Sequence, residues 1–333
     1  MASNSDIHLV YSTDANYLEP IFVSAASAIY FHTSPGRLFV HFFLENVPAE
    51  TYESFKAQFK RFEGKRDFEL VAHVWDPLEF DRFPKWNNTS LIYVRMVLSE
   101  RLLDVDWAIA CDGDTLWLSD PAELVALQDE SKLFLASIDP PPAGSDGINR
   151  SLLWFEKYGM HMPQDQYYCA GFLYLNLRLM REEGFCQKCI DFLDKYPDPP
   201  LCEQMVICYV GLGKTAALPP KWGVFAGGHW RVDLSEGGVI HYVQALPTRF
   251  DKINRLVSDV VLVWYEFCKR VLGEDKLHLH LSWWGRFWRR TVFVILKHNQ
   301  WIENSCRYLK THLHTKGMSS REWDNVMAKF KSI

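Results

Sequence analysis

Apolar and polar positions along the first 250 residues switch repeatedly between a period of two and a period near 3.6. Ile7 to Ser12 (IHLVYS) reads as a strand, and the polar turn Thr13, Asp14, Ala15, Asn16 leads into a helical segment from Pro20 to Phe31. Arg37 to Leu44 (RLFVHFFL) predicts a second strand, Glu50 to Phe62 an amphipathic helix, and Phe68 to Val74 a third strand. Thr89 to Leu103 has helical spacing and runs into a strand over Trp107 to Cys111. Further strands are expected over Leu133 to Ile138, Tyr167 to Leu177 and Gly237 to Tyr242, with helices over Arg181 to Tyr196 and Leu201 to Gly211. The stretch Asp139 to Gly147 (DPPPAGSDG) is rich enough in turn formers to be a loop. Alternation of this kind predicts an α/β fold, a mainly parallel sheet covered by helices.

After Lys252 the strand signals fade, and Leu256 to Leu272 and Ser282 to Leu309 read as helices. The chain is therefore expected to divide into a sheet-bearing domain over residues 1–255 and a helical C-terminal extension over 256–333. In the second of these helices Trp284, Phe287, Trp288, Val292, Ile295 and Leu296 share one broad face, with Arg286, Arg290 and Lys297 on the other. The apolar run Val292 to Leu296 is far too short to span a bilayer.

Composition adds a few constraints. A length of 333 residues with 48% hydrophobic content supports a full core, and an aromatic share of 15% suits a protein that handles sugar or base rings. The net charge of −5 hides an asymmetry, because residues 276–333 hold 11 Lys and Arg against 3 acids. A basic end on an acidic body favours an anionic partner such as a membrane surface; no RNA-binding motif accompanies it, so nucleic acid is not expected. No secretory signal opens the sequence, which predicts a cytoplasmic protein. Of the 8 cysteines, Cys186 and Cys189 have metal-like spacing, but no second pair completes a zinc site, so reduced thiols are expected.

The candidate chemistry centres on Ala108 to Asp120 (AIACDGDTLWLSD), in which an apolar strand ends in Asp112 and Asp114 separated by Gly113. Acids one residue apart on an extended strand end point to the same side, and a glycine between them lets both reach one ion; the alternative is a solvated turn. Oxygen ligands suit Mg²⁺ or Mn²⁺, and an imidazole such as His241 would favour Mn²⁺. The carboxyl end of a strand is also where open α/β sheets bind ligands.

These residues, with others in order along the chain, resemble glycosyltransferase family 8, the retaining enzymes that include lipopolysaccharide galactosyl- and glucosyltransferases and glycogenin. The corresponding segments are Ser12 to Tyr17 (STDANY), Asp112 to Asp114, Cys169 to Leu177 (CAGFLYLNL), Glu203 and Gln204, and His241 onward (HYVQALPTRF). The resemblance covers residue 7 to about 250 and implies a GT-A type, Rossmann-like nucleotide-sugar-binding domain. It implies transfer of a hexose, galactose or glucose, from a UDP-sugar to a saccharide or glycolipid acceptor. Ser12, Asp14, Asn16 and Tyr17 would then hold the uridine end, although Asp14 and Asn16 read locally as an Asx turn. Asp112, Asp114 and His241 would bind Mn²⁺, with Mg²⁺ the alternative, while Arg95 would contact the donor and Arg249 would supply a cation to its diphosphate. Asp139, Glu203 and Gln204 would face the sugar, with Glu203 where the family has aspartate.

The chain departs from the family at Cys169 (usually asparagine), Gln244 (glycine) and Pro247 (lysine). A self-glucosylating or priming transferase, a UDP-sugar hydrolase and a non-catalytic sugar-nucleotide-binding protein are the rival functions. The C-terminal helix reads either as packed on the catalytic domain or as lying in the inner face of a membrane, with Trp283, Trp284 and Trp288 at headgroup depth.

Overall fold

The computed structural model describes residues 6–86, 88–138, 146–226, 232–243, 259–276 and 318–333. Asp139 and Arg249, and the helix expected over 282–309, lie outside these residues. A seven-stranded sheet runs in the order β3-β2-β1-β4-β7-β6-β8. Its strands are β1 Ile7–Asp14, β2 Leu38–Glu45, β3 Phe68–Val74, β4 Trp107–Cys111, β6 Phe134–Ile138, β7 Tyr168–Asn176 and β8 Thr215–Ala217. Strands β1 to β4 pair in parallel, and β7 is antiparallel to both β4 and β6. The sheet is thus mixed and mainly parallel, as the α/β reading requires.

The strands are hydrophobic almost throughout because both faces are covered. Alternate residues go to opposite cores. Leu9, Tyr11, Val40, Phe42, Ile109 and Cys111 join the core that includes α1 (Leu18–Phe31) and α8 (Asp259–Arg270). Val10, Phe43, Ala108 and Ala110 face α3 (Val94–Arg101), α6 (Phe185–Lys195) and α7 (Cys202–Val210). The chain moves outward from β1 through β2 to β3 over α2 (Ala49–Ala57), then returns to place β4 on the other side of β1. The carboxyl ends of β1 and β4 therefore flank the point where the strand order reverses, the position at which such sheets leave a crevice for ligand.

A second sheet, β5-β10-β9, consists of β5 Thr115–Trp117, β9 Trp222–Phe225 and β10 Val239–His241. Strands β5, β8 and β9 were not expected. At three or four residues they are too short for a period to register, and their pairing with distant strands holds them.

Several expected boundaries change. The helix expected from Thr89 begins only at Val94, because Trp86 and Thr89 exchange backbone hydrogen bonds and the Thr89 hydroxyl accepts from Leu91 N at 3.1 Å, holding a turn there. The segment expected as one helix over Arg181 to Tyr196 is two, α5 (Leu177–Glu182) and α6. Asn176 caps α5 by accepting from Leu179 N at 3.0 Å, and Gly184 breaks the run at φ 63°, a left-handed conformation suited to glycine. Asp146 and Gly147, assigned to the loop, open α4 (Asp146–Lys157), whose apolar stripe seats Phe155 in the core.

Candidate active site

The turn between β4 and β5 carries Asp112 and Asp114, and hydrogen bonds to three elements fix it. Asp112 N donates to Gly171 O at 2.8 Å on β7, and Tyr242 N donates to Asp114 O at 2.8 Å just after β10. Beneath it, the Thr115 hydroxyl donates to Asp112 O at 2.9 Å and lies 2.6 Å from the Ser24 hydroxyl of α1, which in turn meets Tyr11 OH at 2.8 Å. Gly113 is needed for packing: a Cβ there would collide with Ile21 and come within 2.9 Å of the Tyr17 ring. Tyr17 therefore supports the turn from α1.

β10 brings His241 to this turn. Its Nε2 stands 3.2 Å from Asp114 Oδ1 and 3.6 Å from Asp112 Oδ2, and one ligand atom from each of the three residues lies within 4.8 Å of the others. Asp114 Oδ1 is buried, with His241 Nε2 beside it at 3.2 Å. Burial disfavours a charged imidazole, but Asp114, Cys169 and Asp112 outweigh it and raise the His241 pKa well above the ordinary histidine value. A buried carboxylate oxygen, a second carboxylate and an imidazole nitrogen converging in a region that calls for positive charge fit a divalent cation with mixed oxygen and nitrogen ligation.

Arg95, on α3, enters from the opposite side and is almost fully buried. Its Nη2 donates to Asp112 Oδ1 at 2.5 Å, and its Nη1 donates to Ala170 O at 2.5 Å and lies 3.4 Å from Glu203 Oε1. Burial alone would raise the Asp112 pKa, but Arg95 and His241 hold it well below the usual carboxylate range. Glu203 goes the other way: burial, opposed by Arg95 and reinforced by Asp112, brings its pKa up to about 7. Gln204 accepts from Ala170 N at 3.1 Å, so Gln204 engages β7 directly, while Glu203 is linked to it through Arg95. Cys202 precedes them at φ 39°, a conformation that costs a non-glycine residue on the order of 1–3 kcal/mol.

At the end of β1, Asp14 Oδ1 accepts from Asn16 N at 2.9 Å, the Asx turn that the sequence permits. The turn does not cap α1, whose N-cap residue is Tyr17. Ser12 and Arg95 line one small crevice between β1, α3 and β4. Ser12, Asp14, Arg95, Asp112, Asp114, His241, Glu203 and Gln204 are thus gathered around the carboxyl ends of β1 and β4 and the adjoining start of β7.

Sequence reasoning missed two packing roles. Gly171 and Cys169 project from the same side of β7 toward His241. A Cβ on Gly171 would run into the imidazole and approach Asp112 Oδ2 at 2.7 Å, while Cys169 Sγ lies 3.7 Å from His241 Nδ1. A glycine inside an otherwise hydrophobic strand is the one local signal of such close approach.

The family model described as glycosyl transferase family 8 matches residues 8–246. No curated protein sequence matches the chain. Among solved structures, the galactosyltransferase LgtC in complex with donor and acceptor sugar analogs is similar over 84% of this chain and 100% of its own, at 19% identity and a TM-score of 0.62. The bifunctional glycosyltransferase WbbM aligns with 78% of this chain at 16% identity and a TM-score of 0.59; the chain spans 48% of WbbM. Mouse xyloside xylosyltransferase 1 aligns with 71% of this chain and 97% of its own at 15% identity and a TM-score of 0.54. At these identities the structural likeness speaks for a shared GT-A-like fold.

Proposed function

The chain belongs to glycosyltransferase family 8, and from that premise we propose that it is a metal-dependent retaining hexosyltransferase, moving galactose or glucose from a UDP-sugar to a saccharide acceptor. The observation that carries this reading is the convergence of Asp112, Asp114 and His241, with a buried Asp114 carboxylate oxygen, at the strand-order reversal beside β1. A bound Mn²⁺, or Mg²⁺ in its place, would neutralise charge developing on the departing diphosphate. In this reading Ser12, Asp14 and Asn16 hold the uridine, Tyr17 and Gly113 shape the floor, and Arg95 and Arg249 add positive charge near the diphosphate. Asp139 and Gln204 orient the sugar hydroxyls.

Retention is assigned to attack from the face that UDP leaves. The acceptor oxygen bonds to C1 as the C1–O bond to the diphosphate breaks, and the acceptor's proton passes to the leaving diphosphate oxygen. Glu203 is a poor covalent nucleophile, since burial pushes its pKa up to about 7 and its carboxyl is engaged by Arg95. We assign it instead to holding Arg95.

The test incubates the protein with a panel of UDP-sugars and Mn²⁺, with and without saccharide acceptors, and follows UDP release. Turnover with UDP-galactose or UDP-glucose that depends on acceptor is expected. Asp112→Asn or Asp114→Asn should lower it by roughly 1000-fold, the several kcal/mol that a metal supplies at a leaving phosphate. Silence with every donor would point to the non-catalytic rival; release indifferent to acceptor would assign a hydrolase, and sugar added to the chain itself a priming enzyme.

We further propose that residues 282–309 meet an anionic membrane surface, with a glycolipid as acceptor. The support is the aromatic and basic pattern of that stretch; no described helix is long and apolar enough to cross a membrane. Reversing Arg286, Arg289 and Arg290 to glutamate should abolish co-sedimentation with phosphatidylserine-containing vesicles, and unchanged sedimentation would end this proposal.

A further inference from the structure

Cys169 has no part in the mechanism above, yet its sulfur faces the ring that supplies the third metal ligand. Residues two apart on a strand point to the same side, so β7 presents Cys169 and Gly171 together to His241. Gly171 gives the imidazole room: a Cβ there would lie 2.9 Å from Nε2. Phe225 of β9 stacks on the ring with centroids 5.6 Å apart and planes at 29°. Cys169 Sγ then stands 3.7 Å from Nδ1, while Nε2 looks toward Asp112 and Asp114. His241 and Cys169 are both buried, at 3% and 7% exposure, so the contact lies away from bulk water.

An imidazole ligates through the lone pair of one nitrogen, and the hydrogen bond made by the other decides which nitrogen carries the proton. We propose that Cys169 is the positioning residue of the metal-binding imidazole, its sulfur accepting the Nδ1–H of His241 and so leaving the Nε2 lone pair directed at the metal position. The sulfur is a weak, polarizable acceptor on a short side chain. It holds the tautomer without occupying the metal position itself. The proposal rests on the reading that this site takes a divalent cation, and the test separates the two.

Mn²⁺ binding to the metal-stripped full-length protein, without nucleotide, is followed by the electron paramagnetic resonance of free Mn²⁺. The ring nitrogens of His241 are read in parallel by ¹⁵N chemical shift in the metal-free protein, at a pH high enough to neutralise the imidazolium that the nearby carboxylates favour. Loss of a partner beyond the first ligand atoms typically weakens metal binding about 10- to 100-fold. Cys169→Ala is expected to fall in that range and to give mixed tautomers. Cys169→Ser, which restores an acceptor, should bind within about threefold of wild type by the same reasoning. Cys189→Ala, removing a buried thiol on α6, controls for packing and should leave Mn²⁺ binding unchanged. Wild-type affinity and a single Nδ1–H tautomer in Cys169→Ala would overturn the proposal, as would equal losses in the alanine and serine variants. Failure of the wild type itself to bind Mn²⁺ would overturn the metal reading as well.

Discussion

At the scale of single residues the site is crowded, and small side chains matter there as much as charged ones. Gly171 is conformationally ordinary, but the space a Cβ would need is taken by His241 and by Asp112 Oδ2 at 2.7 Å. Gly171→Ala must push the imidazole away from the carboxylates, an overpacking strain of about 1–3 kcal/mol. The expected result is a folded protein with Mn²⁺ affinity at least about tenfold weaker, as for other disturbed ligand settings. Calorimetric titration checks this, and unchanged affinity would show that the ring is not held where it stands. The same crowding explains what was legible here. Asp112 and Asp114 are chemically distinctive and could be picked out as donors. His241 as a ligand and Arg95 rested on the family resemblance, and the engagement of Arg95 with Asp112, Glu203 and Ala170 depends on a helix and a strand meeting from distant parts of the chain.

At the scale of elements, β1, β2 and β3 share a feature unrelated to the proposed chemistry. His8 Nδ1 lies 3.0 Å from His41 Nε2, and His41 Nδ1 lies 2.9 Å from His73 Nε2, so three imidazoles form a ladder across the sheet. The central ring must accept from one neighbour and donate to the other, so the ladder as a whole needs His41 neutral. Burial, with help from the neighbouring histidines, pushes the His41 pKa down to about 3. Because the unfolded state binds the proton first, this group's contribution to stability is complete above pH 6.5 and drains away toward pH 3. The loss approaches about 1.4 kcal/mol per pH unit for one extra proton bound by the unfolded chain. Urea unfolding between pH 6.5 and 5 should therefore show a shallower decline for His41→Gln than for wild type; parallel declines would contradict the assignment. Strand periodicity located these three strands well, since long strands buried on both faces write their pattern plainly. Their cross-strand contacts follow from parallel registers that periodicity does not encode.

At the scale of the whole molecule, the last described helix, α9 (Ser320–Lys329), ties the chain end to the site's support. Trp323, Val326, Met327 and Phe330 are buried in the core that holds α1 and α8. The Tyr30 hydroxyl donates to Lys329 O at 2.7 Å, Leu234 N donates to Glu322 Oε1 at 3.0 Å before β10, and Lys329 Nζ donates to Leu118 O at 3.3 Å beyond β5. Ending the chain at Gly317 removes five buried apolar side chains, Met318 with the four above, worth about 1.5–3 kcal/mol each. A fall in melting temperature of roughly 10 °C or more is expected at about 2–4 °C per kcal/mol, and an unchanged melting curve would refute it. The sequence by itself determined the α/β class, the strand that ends in Asp112 and Asp114, and the family, because long periodic segments and a few chemically singular residues are local properties. Tertiary structure alone decided that β7 runs antiparallel, that the three- and four-residue strands β5, β8 and β9 exist, and that Cys169 and Gly171 close on His241. The physical reason is that short strands and side-chain contacts between distant segments gain their free energy only from partners far away in the chain, after the sheet has brought those partners together.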